Sequence, residues 1–401
     1  MSKNRQKRLV SINLGNFGST GSIMEGVCSI AEENGMVTYK AYPYNAQNRP
    51  KKQRDIIIVH KNYLRICKKL AYMTGYNGCF AILPTVVFLM RLSLIRPDVI
   101  HLHNLHNSYI NLPLLFCYIK KHKIKTVWTL HDCWAFTGHC PHFTMIKCDR
   151  WREECGDCPQ LNIYPAIKKD KTAQLLKMKK KWFQGISDLT IVTPSLWLSK
   201  LVKQSFLAQY PLEIINNGID LSVFKPSRGD LRKKYGISKD VIIVLGVAFD
   251  WGVRKGLDVF IDLASVLGKE YQIVLVGTDE NVDSQIPDNI ICIRKTSNQK
   301  ELASIYTEAD VFINPTREDN FPTVNIEALA CGTPVVTYNT GGSPEMINQM
   351  VGTVVACDDF EALVAAIKKQ CKNKPVEECI NAAAAYSQER MFLRYLDLFG
   401  L

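Results

Sequence analysis

The sequence predicts an α/β protein made of two Rossmann-like domains, each with a parallel sheet. Three observations indicate this fold class. The chain has 401 residues, which is enough for two domains of about 200 residues each. It opens with a strand, a glycine-containing turn and a helix, and apolar strands then alternate with amphipathic helices. The segment 311–347 repeats the order strand, turn, helix and strand, which is the unit of a parallel sheet.

The first half begins with a predicted strand at 9–14, a turn containing Gly15, Gly18 and Gly21, and a helix that ends near Asn34. The spacing G-x-x-G-x-x-G differs from the G-x-G-x-x-G of dinucleotide enzymes, so a nicotinamide cofactor is disfavoured. The other elements predicted here are strands at 55–59, 98–102, 126–130 and 189–195, helices at 61–73, 171–183 and 197–204, and an apolar segment at 79–94.

The second half begins with an apolar strand at 241–247, after which Arg254 and Lys255 stand at the start of an amphipathic helix. Two cations beside a helix N-terminus form a charge-assisted clamp for a diphosphate. The remaining predicted elements are strands at 272–277 and 289–293, a helix at 300–307, the segment 311–347, and helices at 359–372 and 387–399.

The segment 311–347 carries the densest set of candidate binding residues. Its first strand ends in an acidic turn, and Pro322-Thr323 then begins a helix whose N–H groups and positive dipole end favour phosphate. Glu327 follows one turn later and can accept two hydroxyl hydrogen bonds, as a ribose diol requires. A strand at 333–338 leads to a second backbone loop at Gly341-Gly342. These features predict a site for a nucleotide-activated sugar.

This segment resembles the nucleotide-sugar site of the retaining glycosyltransferases of family 4, which have the GT-B fold. That family carries an acidic residue, seven intervening residues and Glu, followed by Ala-x-Ala-x-Gly-x-Pro-Val-Val. Here the spacing gives Asp319 and Glu327, with Glu318 beside the first position, so Glu318 and Asp319 are both candidates for contacting the sugar. The passage 213–224, EIINNGIDLSVF, is similar to the segment that leads into the family's interdomain hinge. The resemblance covers almost the whole chain.

The resemblance implies two Rossmann-like domains whose parallel sheets face a central cleft. Residues 1–222 would form the acceptor-side domain, with a cysteine-rich loop at 139–160. Residues 223–385 would bind the nucleotide sugar, and 386–401 would form a helix crossing back to the first domain. The implied reaction moves a sugar, with retention and without a catalytic metal, from a nucleoside diphosphate sugar to an acceptor. UDP or GDP is the expected nucleotide, and a lipid-linked oligosaccharide of surface polysaccharide biosynthesis is the expected acceptor.

His131 follows the strand 126–130, at the strand end where ligands of open α/β sheets bind. It resembles the family's histidine that contacts the transferred sugar or its phosphates. The family often places an arginine where this chain has Asp250, and Arg254 is the candidate to replace it. The predicted catalytic residues are His131, Arg254, Lys255 and Asp319. The predicted donor-binding residues are Gly18, Gly21, Glu318, Asn320, Phe321, Pro322, Thr323 and Glu327.

Four cysteines of the loop after His131 lie within 19 residues: Cys140, Cys148, Cys155 and Cys158. Their density suggests a structural zinc knuckle, with His139 or His142 as alternate ligands, or a metal-free structural cluster. Disulfides are the third possibility. The run HLHNLHN offers no nearby carboxylate to complete a metal site, and its His106 or Asn107 is a candidate for positioning acceptor hydroxyls.

The net charge of +12 is unevenly distributed, because residues 1–200 carry 30 Lys and Arg against 12 Asp and Glu. Basic runs at 3–8, 51–54, 120–125 and 177–181 favour an anionic partner, and an anionic membrane surface is the expected one. Aromatic residues do not alternate with these runs as stacking platforms, so nucleic acid is not expected. A sugar-nucleotide epimerase and a zinc-containing basic nucleic-acid binder are the alternatives to the transferase.

The N-terminal residues lack the apolar core and cleavage site of a signal peptide, and no window reaches 18 uninterrupted apolar residues. The sequence therefore predicts a cytoplasmic protein that is peripheral to the inner face of the membrane.

Overall fold

The computed structural model describes residues 5–45, 47–50 and 52–401, which form two compact units. The first unit contains the described residues up to Asn216 together with Met391–Leu401, and the second contains Asn217–Arg390. Each unit has one parallel sheet with helices, which confirms the predicted α/β class.

The sheet of the first unit has seven parallel strands in the order β3-β2-β1-β4-β5-β6-β7. The strands are β1 (Arg8–Ile12), β2 (Val37–Tyr42), β3 (Asp55–Ile57), β4 (Val99–Leu102), β5 (Lys125–Thr129), β6 (Leu189–Thr193) and β7 (Leu212–Ile214). The helices are α1 (Gly18–Glu33), α2 (Lys61–Thr74), α3 (Ile82–Ile95), α4 (Leu112–His122), α5 (Thr172–Phe183) and α6 (Leu196–Val202).

The sheet of the second unit has six parallel strands in the order β10-β9-β8-β11-β12-β13. These are β8 (Ile242–Val247), β9 (Tyr271–Val276), β10 (Ile290–Ile293), β11 (Val311–Asn314), β12 (Val335–Tyr338) and β13 (Gly352–Val355). The helices are α7 (Leu231–Tyr235), α8 (Leu257–Val266), α9 (Glu280–Asp283), α10 (Gln299–Glu308), α11 (Thr323–Ala330), α12 (Phe360–Gln370) and α13 (Val376–Ala384). Helix α14 (Gln388–Phe399) follows, and most of its residues belong to the first unit.

In both sheets the strand order reverses beside the first strand, between β1 and β4 and between β8 and β11. This is the doubly wound Rossmann order, in which ligands bind beyond the carboxyl ends of the strands at the reversal. The strands at the reversal are buried apolar segments, as expected for a sheet covered on both faces. The topology therefore predicts that ligands bind at the loops that follow β4 and β5 in one unit and β8 and β11 in the other.

The last helix, α14, packs into the first unit from Met391 onward. Its apolar face joins a core cluster with α1 that includes Phe392, Tyr395 and Phe399. Gly26 of α1 permits this contact, because a Cβ there would lie 2.1 Å from the Phe392 ring. A glycine without a side chain thus lets the two helices approach closely.

Several predicted boundaries differ from the observed ones. The strand predicted from Thr333 begins at Val335, because the Thr333 backbone N–H donates to the Ala328 carbonyl at the end of α11 and Pro334 has no N–H. The apolar segment predicted at 79–94 is the helix α3, which begins at Ile82. No helix in the described ranges combines the length and the apolar composition needed to cross a bilayer.

Candidate functional site

Most of the predicted donor-side residues lie at the carboxyl edge of the second sheet, in the loops 248–256, 315–322 and 339–342. These loops follow β8, β11 and β12, which are neighbours in the sheet. We call this region the donor edge.

Two of the predicted catalytic residues form an ion pair in the donor edge. The Lys255 Nζ lies 2.5 Å from Asp319 Oδ2, and the two side chains are only 18% and 22% exposed. Their loops are packed against each other at Gly256, where a Cβ would lie 2.5 Å from the Pro315 carbonyl oxygen. Gly256 also has a φ of +75°, a conformation that favours glycine. The structure therefore brings together a cation and a carboxylate from two separate loops.

Two arginines, Arg254 and Arg317, hold the loops of the donor edge together through hydrogen bonds. The Arg254 guanidinium donates to the Glu318 carbonyl oxygen at 3.1 Å. Arg317 makes a two-pronged contact with Asp258, at 2.9 and 2.7 Å, and a third with Asp358 at 2.7 Å. These carboxylates raise the pKa of Arg317 further above its ordinary value, first through the hydrogen bonds that Arg317 donates to Asp258. Bidentate pairing of this kind fixes geometry. The sequence did not identify Arg317, because its two carboxylate partners lie far away in the chain.

The acidic turn is largely buried. Glu318, Asn320 and Phe321 are 5%, 6% and 3% exposed. Gly341 allows the turn to close, because a Cβ at that residue would lie 1.7 Å from the Asp319 carbonyl oxygen. Gly341 has a φ of +54°, so backbone conformation and space both require glycine here.

Helix α11 begins directly after the acidic turn. Pro322 is its N-cap residue and Thr323 its first helical residue, and the Pro322 side chain makes no capping hydrogen bond. The N–H groups of the first turn are the groups that a bound phosphate would contact.

Glu327 lies in the second turn of α11 and accepts a hydrogen bond from the Tyr306 hydroxyl at 3.2 Å. Burial raises the pKa of the Glu327 carboxyl to about 7. Tyr306 is fully buried in α10. It escaped the sequence prediction because a tyrosine in an amphipathic helix has the pattern of a core residue.

In the first unit, His131 follows β5 and contacts a second histidine. Its Nε2 lies 3.0 Å from His103 Nδ1, and the two rings are stacked. Burial lowers the pKa of His131 to about 4. At neutral pH His131 is therefore an uncharged hydrogen-bonding group and not a cation.

A second polar cluster lies beside it. His106 Nε2 is 3.2 Å from Asp132 Oδ2, and the Tyr164 hydroxyl is 2.9 Å from His106 Nδ1. The Trp134 backbone N–H donates to Asp132 at 2.8 Å. Burial alone would raise the pKa of Asp132, but hydrogen bonding and the charge of His106 lower it below its ordinary value. Asp132 is thus a charged acceptor paired with an imidazole. In the sequence, only its position next to His131 indicated that it belongs to the site.

Gly18 and Gly21 lie at the start of α1, after β1. Gly18 has a φ of +69°, and a Cβ on Gly21 would lie 2.7 Å from the Asn16 carbonyl carbon. Both glycines are therefore explained by the turn itself, and their contact with a donor remains a prediction.

The four cysteines of the loop 139–160 line one cavity of about 20 Å³ together with His139. The Sγ atoms of Cys140 and Cys158 are 3.8 Å apart. Across the described residues, no three His, Cys, Asp or Glu side chains are already arranged as a metal site. The predicted zinc remains a prediction.

The prediction that the basic run 177–181 faces an anionic partner is wrong for Lys179. It is fully buried beneath this loop, where its Nζ donates to the carbonyls of Trp134 and Thr137 at 2.6 and 2.9 Å. Burial lowers the pKa of its ammonium to about 7. Lys179 therefore cannot serve the anionic partner predicted for the run 177–181.

Comparisons with known proteins cover the whole chain. The family model for Glycosyltransferase Family 4 matches residues 44–223, and that for Glycosyl transferases group 1 matches 227–386. The chain is 26% identical to a protein of Escherichia coli K12 named as colanic acid biosynthesis glycosyl transferase WcaC, over 97% of this chain and 98% of that protein.

Two solved structures share the fold. Sucrose-phosphate synthase from Thermosynechococcus elongatus superposes with a TM-score of 0.71 at 17% identity, covering 98% of both chains. The Anabaena protein HepE, solved in complex with UDP, superposes with a TM-score of 0.67 at 12% identity, covering 98% of this chain and 99% of that one.

Two doubly wound parallel units, together with these structural neighbours, define the GT-B fold, which confirms the predicted fold class. The chain belongs to the family 4 glycosyltransferases, as the two family models and the full-length relative show.

Proposed function

We propose that this enzyme transfers a sugar, with retention of anomeric configuration, from a UDP- or GDP-sugar to a lipid-linked oligosaccharide in surface polysaccharide biosynthesis. The relative named for colanic acid biosynthesis supports the polysaccharide role, and the neighbour solved with UDP supports a nucleotide donor. The observation that carries the proposal is the donor edge, where Lys255, the start of α11 and Glu327 follow one another along neighbouring loops.

Lys255 and Arg254 are assigned to the diphosphate. When the bond from the sugar to the diphosphate breaks, negative charge grows on the departing phosphate, and fixed cations and helix N–H groups stabilise that charge. Asp319 holds the Lys255 ammonium in the donor edge before the donor arrives. These groups supply the charge stabilisation that a divalent cation would otherwise give, and activity should not depend on added Mg²⁺ or Mn²⁺.

Glu327 is assigned to the ribose. One of its carboxylate oxygens is held by Tyr306, and the carboxylate can accept further hydrogen bonds from a diol. The acceptor is assigned to the first unit, where the uncharged His131 and the Asp132–His106–Tyr164 cluster offer hydrogen-bonding groups for sugar hydroxyls.

The experiment that tests the function is an assay of UDP-, GDP-, ADP- and TDP-sugars with and without an oligosaccharide acceptor. We expect one donor class to be consumed quickly only when acceptor is present, and NMR of the product should show the anomeric configuration of the donor. Epimerisation of the donor alone would instead identify the epimerase alternative.

Glu327 makes donor binding depend on pH. Because the pKa is raised to about 7 from an ordinary value of 4.5, the carboxyl becomes protonated as pH falls through about 7. The donor KM should therefore rise below pH 7. Glu327→Gln should raise the donor KM roughly tenfold at pH 8, with a smaller effect on kcat, and should abolish this pH dependence.

The stability of the same variant provides a control. A raised carboxyl pKa means that the folded state loses stability as pH rises from about 4.5 to about 7. Unfolding midpoints should therefore favour Glu327→Gln over the wild type increasingly across that interval. An unchanged pH dependence of KM in the variant would remove Glu327 from the donor site.

The proposed membrane partner rests on α2 and α3. One face of α3 is apolar and exposed, with Leu83 64% and Leu94 82% exposed. The other exposed apolar residues of that helix are Ile82, Val86, Val87 and Met90. Helix α2 exposes four cations, Lys61, Arg65, Lys68 and Lys69. An apolar face and a cluster of cations are the two features that an anionic bilayer binds, and each cation contributes about 1 kcal/mol.

Vesicle flotation at low salt tests this partner. Wild-type protein should float with anionic vesicles and much less with neutral ones, and Leu83→Glu should reduce the floating fraction several-fold. Met350→Glu, at a residue of the second unit that is also 64% exposed, is the matched control and should float like wild type. Equal flotation with neutral and anionic vesicles, or equal loss in both variants, would contradict the proposal.

A further inference from the structure

We infer that Cys140, Cys148, Cys155 and Cys158 bind one structural zinc ion as a tetrathiolate site. This inference does not depend on the proposed function. All four residues are free thiols in the structure, and they line the same cavity although the first and last are 18 residues apart.

The size of the cavity and the sulfur spacing fit a metal. The cavity holds about 20 Å³, close to the space that one water-sized sphere occupies. A tetrahedron with zinc–sulfur bonds of about 2.3 Å has edges of about 3.8 Å. The Sγ atoms of Cys140 and Cys158 are separated by 3.8 Å, whereas a disulfide would need about 2.05 Å. Two of the four sulfurs therefore already have the spacing of zinc ligands.

The surroundings contain a buried cation that a zinc–thiolate centre would complement. Lys179 is fully buried, and the carboxylate that acts on it electrostatically, Asp132, is already paired with His106. A buried ammonium is costly without a counter-charge. Zinc with four thiolates carries a net charge of −2, and both Cys140 and Cys155 lie close enough to Lys179 to act on it electrostatically. Binding would release the four thiol protons.

One further contact suits a thiolate site. The Gly138 backbone N–H already donates to Cys155 Sγ at 3.3 Å, as backbone amides do to ligand sulfurs. His139 also lines the cavity and is buried there at 2% exposure.

The site would hold the loop that carries Tyr164. Cys158 is fixed to the start of α5 because its backbone N–H donates to Asp170 at 2.8 Å, and Asp170 also accepts from Thr172. Tyr164 lies between Cys158 and Asp170 in the chain, and its hydroxyl contacts His106. The metal would therefore have a structural role, since four protein ligands leave no open position for a substrate.

Metal analysis of the full chain, purified without chelator, tests the inference. We expect close to one zinc per chain, and X-ray absorption should show four sulfur neighbours at about 2.3 Å. Cys155→Ser should lose at least half of the zinc and become more sensitive to proteolysis in the loop 139–160. Cys117→Ser, at an exposed cysteine of α4, is the matched control and should keep the full zinc content.

The measurements on the wild-type protein test the zinc inference even if Cys155→Ser does not fold. Zinc-free wild-type protein that remains fully folded would overturn the inference. A coordination shell with fewer than four sulfurs, or a Cys140–Cys158 disulfide in the native protein, would overturn it as well.

Discussion

Replacing Lys255 by Ala is expected to lower kcat about 10²-fold, the scale observed when one preorganised electrostatic donor is lost. The variant removes the cation from the donor edge, where charge develops on the departing diphosphate. It also leaves Asp319 without the ammonium that lies 2.5 Å away. The donor KM should change much less than kcat, because the diphosphate acquires its additional charge only as the bond breaks.

Lys269→Ala is the control for this variant. Lys269 is an exposed lysine that precedes β9 and so lies at the amino edge of the same sheet, opposite the donor edge. It should retain wild-type kinetics. Wild-type kcat in Lys255→Ala would remove Lys255 from the mechanism.

Gly341→Ala is expected to lower kcat/KM by about 10²-fold while the protein remains folded, because a displacement of about 1 Å in a binding loop can have an effect of that size. The added Cβ would lie 1.7 Å from the Asp319 carbonyl oxygen, so the acidic turn has to move away from its position. The displaced turn carries the carboxylate that holds Lys255. Donor titration by steady-state kinetics measures the effect.

Gly236→Ala is the control that distinguishes the effect of the steric clash at residue 341 from the effect of backbone strain. Gly236 has a φ of +66°, similar to the +54° of Gly341, but a Cβ there meets nothing within 4 Å. Gly236→Ala should therefore lower the stability by about 1–2 kcal/mol and leave kcat/KM unchanged. Equal activity in the two variants would show that the turn does not position the donor.

The alternating pattern of the chain was sufficient to predict the α/β class, and the family motif was sufficient to predict the GT-B fold. Elements that lack an apolar run were missed. β7 has three residues, none fully buried, and β2 is interrupted by Lys40. The structure buries Lys40 by pairing it with Glu25 at 2.5 Å, a partner in α1 that no local pattern indicates. Edge strands and strands with a buried charge are stabilised by contacts distant in sequence.

The sequence was sufficient to predict individual residues of the candidate site but not which of them contact each other. Lys255 and Asp319 were identified on separate grounds, and their ion pair spans 64 positions. Tyr306 is 21 positions from Glu327, and only the packing of α10 against α11 brings them together. Lys179 lies in a basic run with the exposed Lys177 and Lys181, and its burial follows from the loop whose carbonyls it contacts. Local sequence patterns identify the groups, whereas tertiary packing determines which groups interact.

The most direct test of the central claim is a calorimetric titration of wild type, Lys255→Ala and Glu327→Gln with the nucleoside diphosphate that the donor panel selects and with its free nucleoside. If Lys255 contacts the diphosphate and Glu327 the ribose, Lys255→Ala should weaken the diphosphate ligand and bind the nucleoside like wild type. Glu327→Gln should weaken both ligands. Wild-type affinity of both variants for the nucleoside diphosphate, or an exchange of the two patterns, would contradict the proposed orientation of the donor.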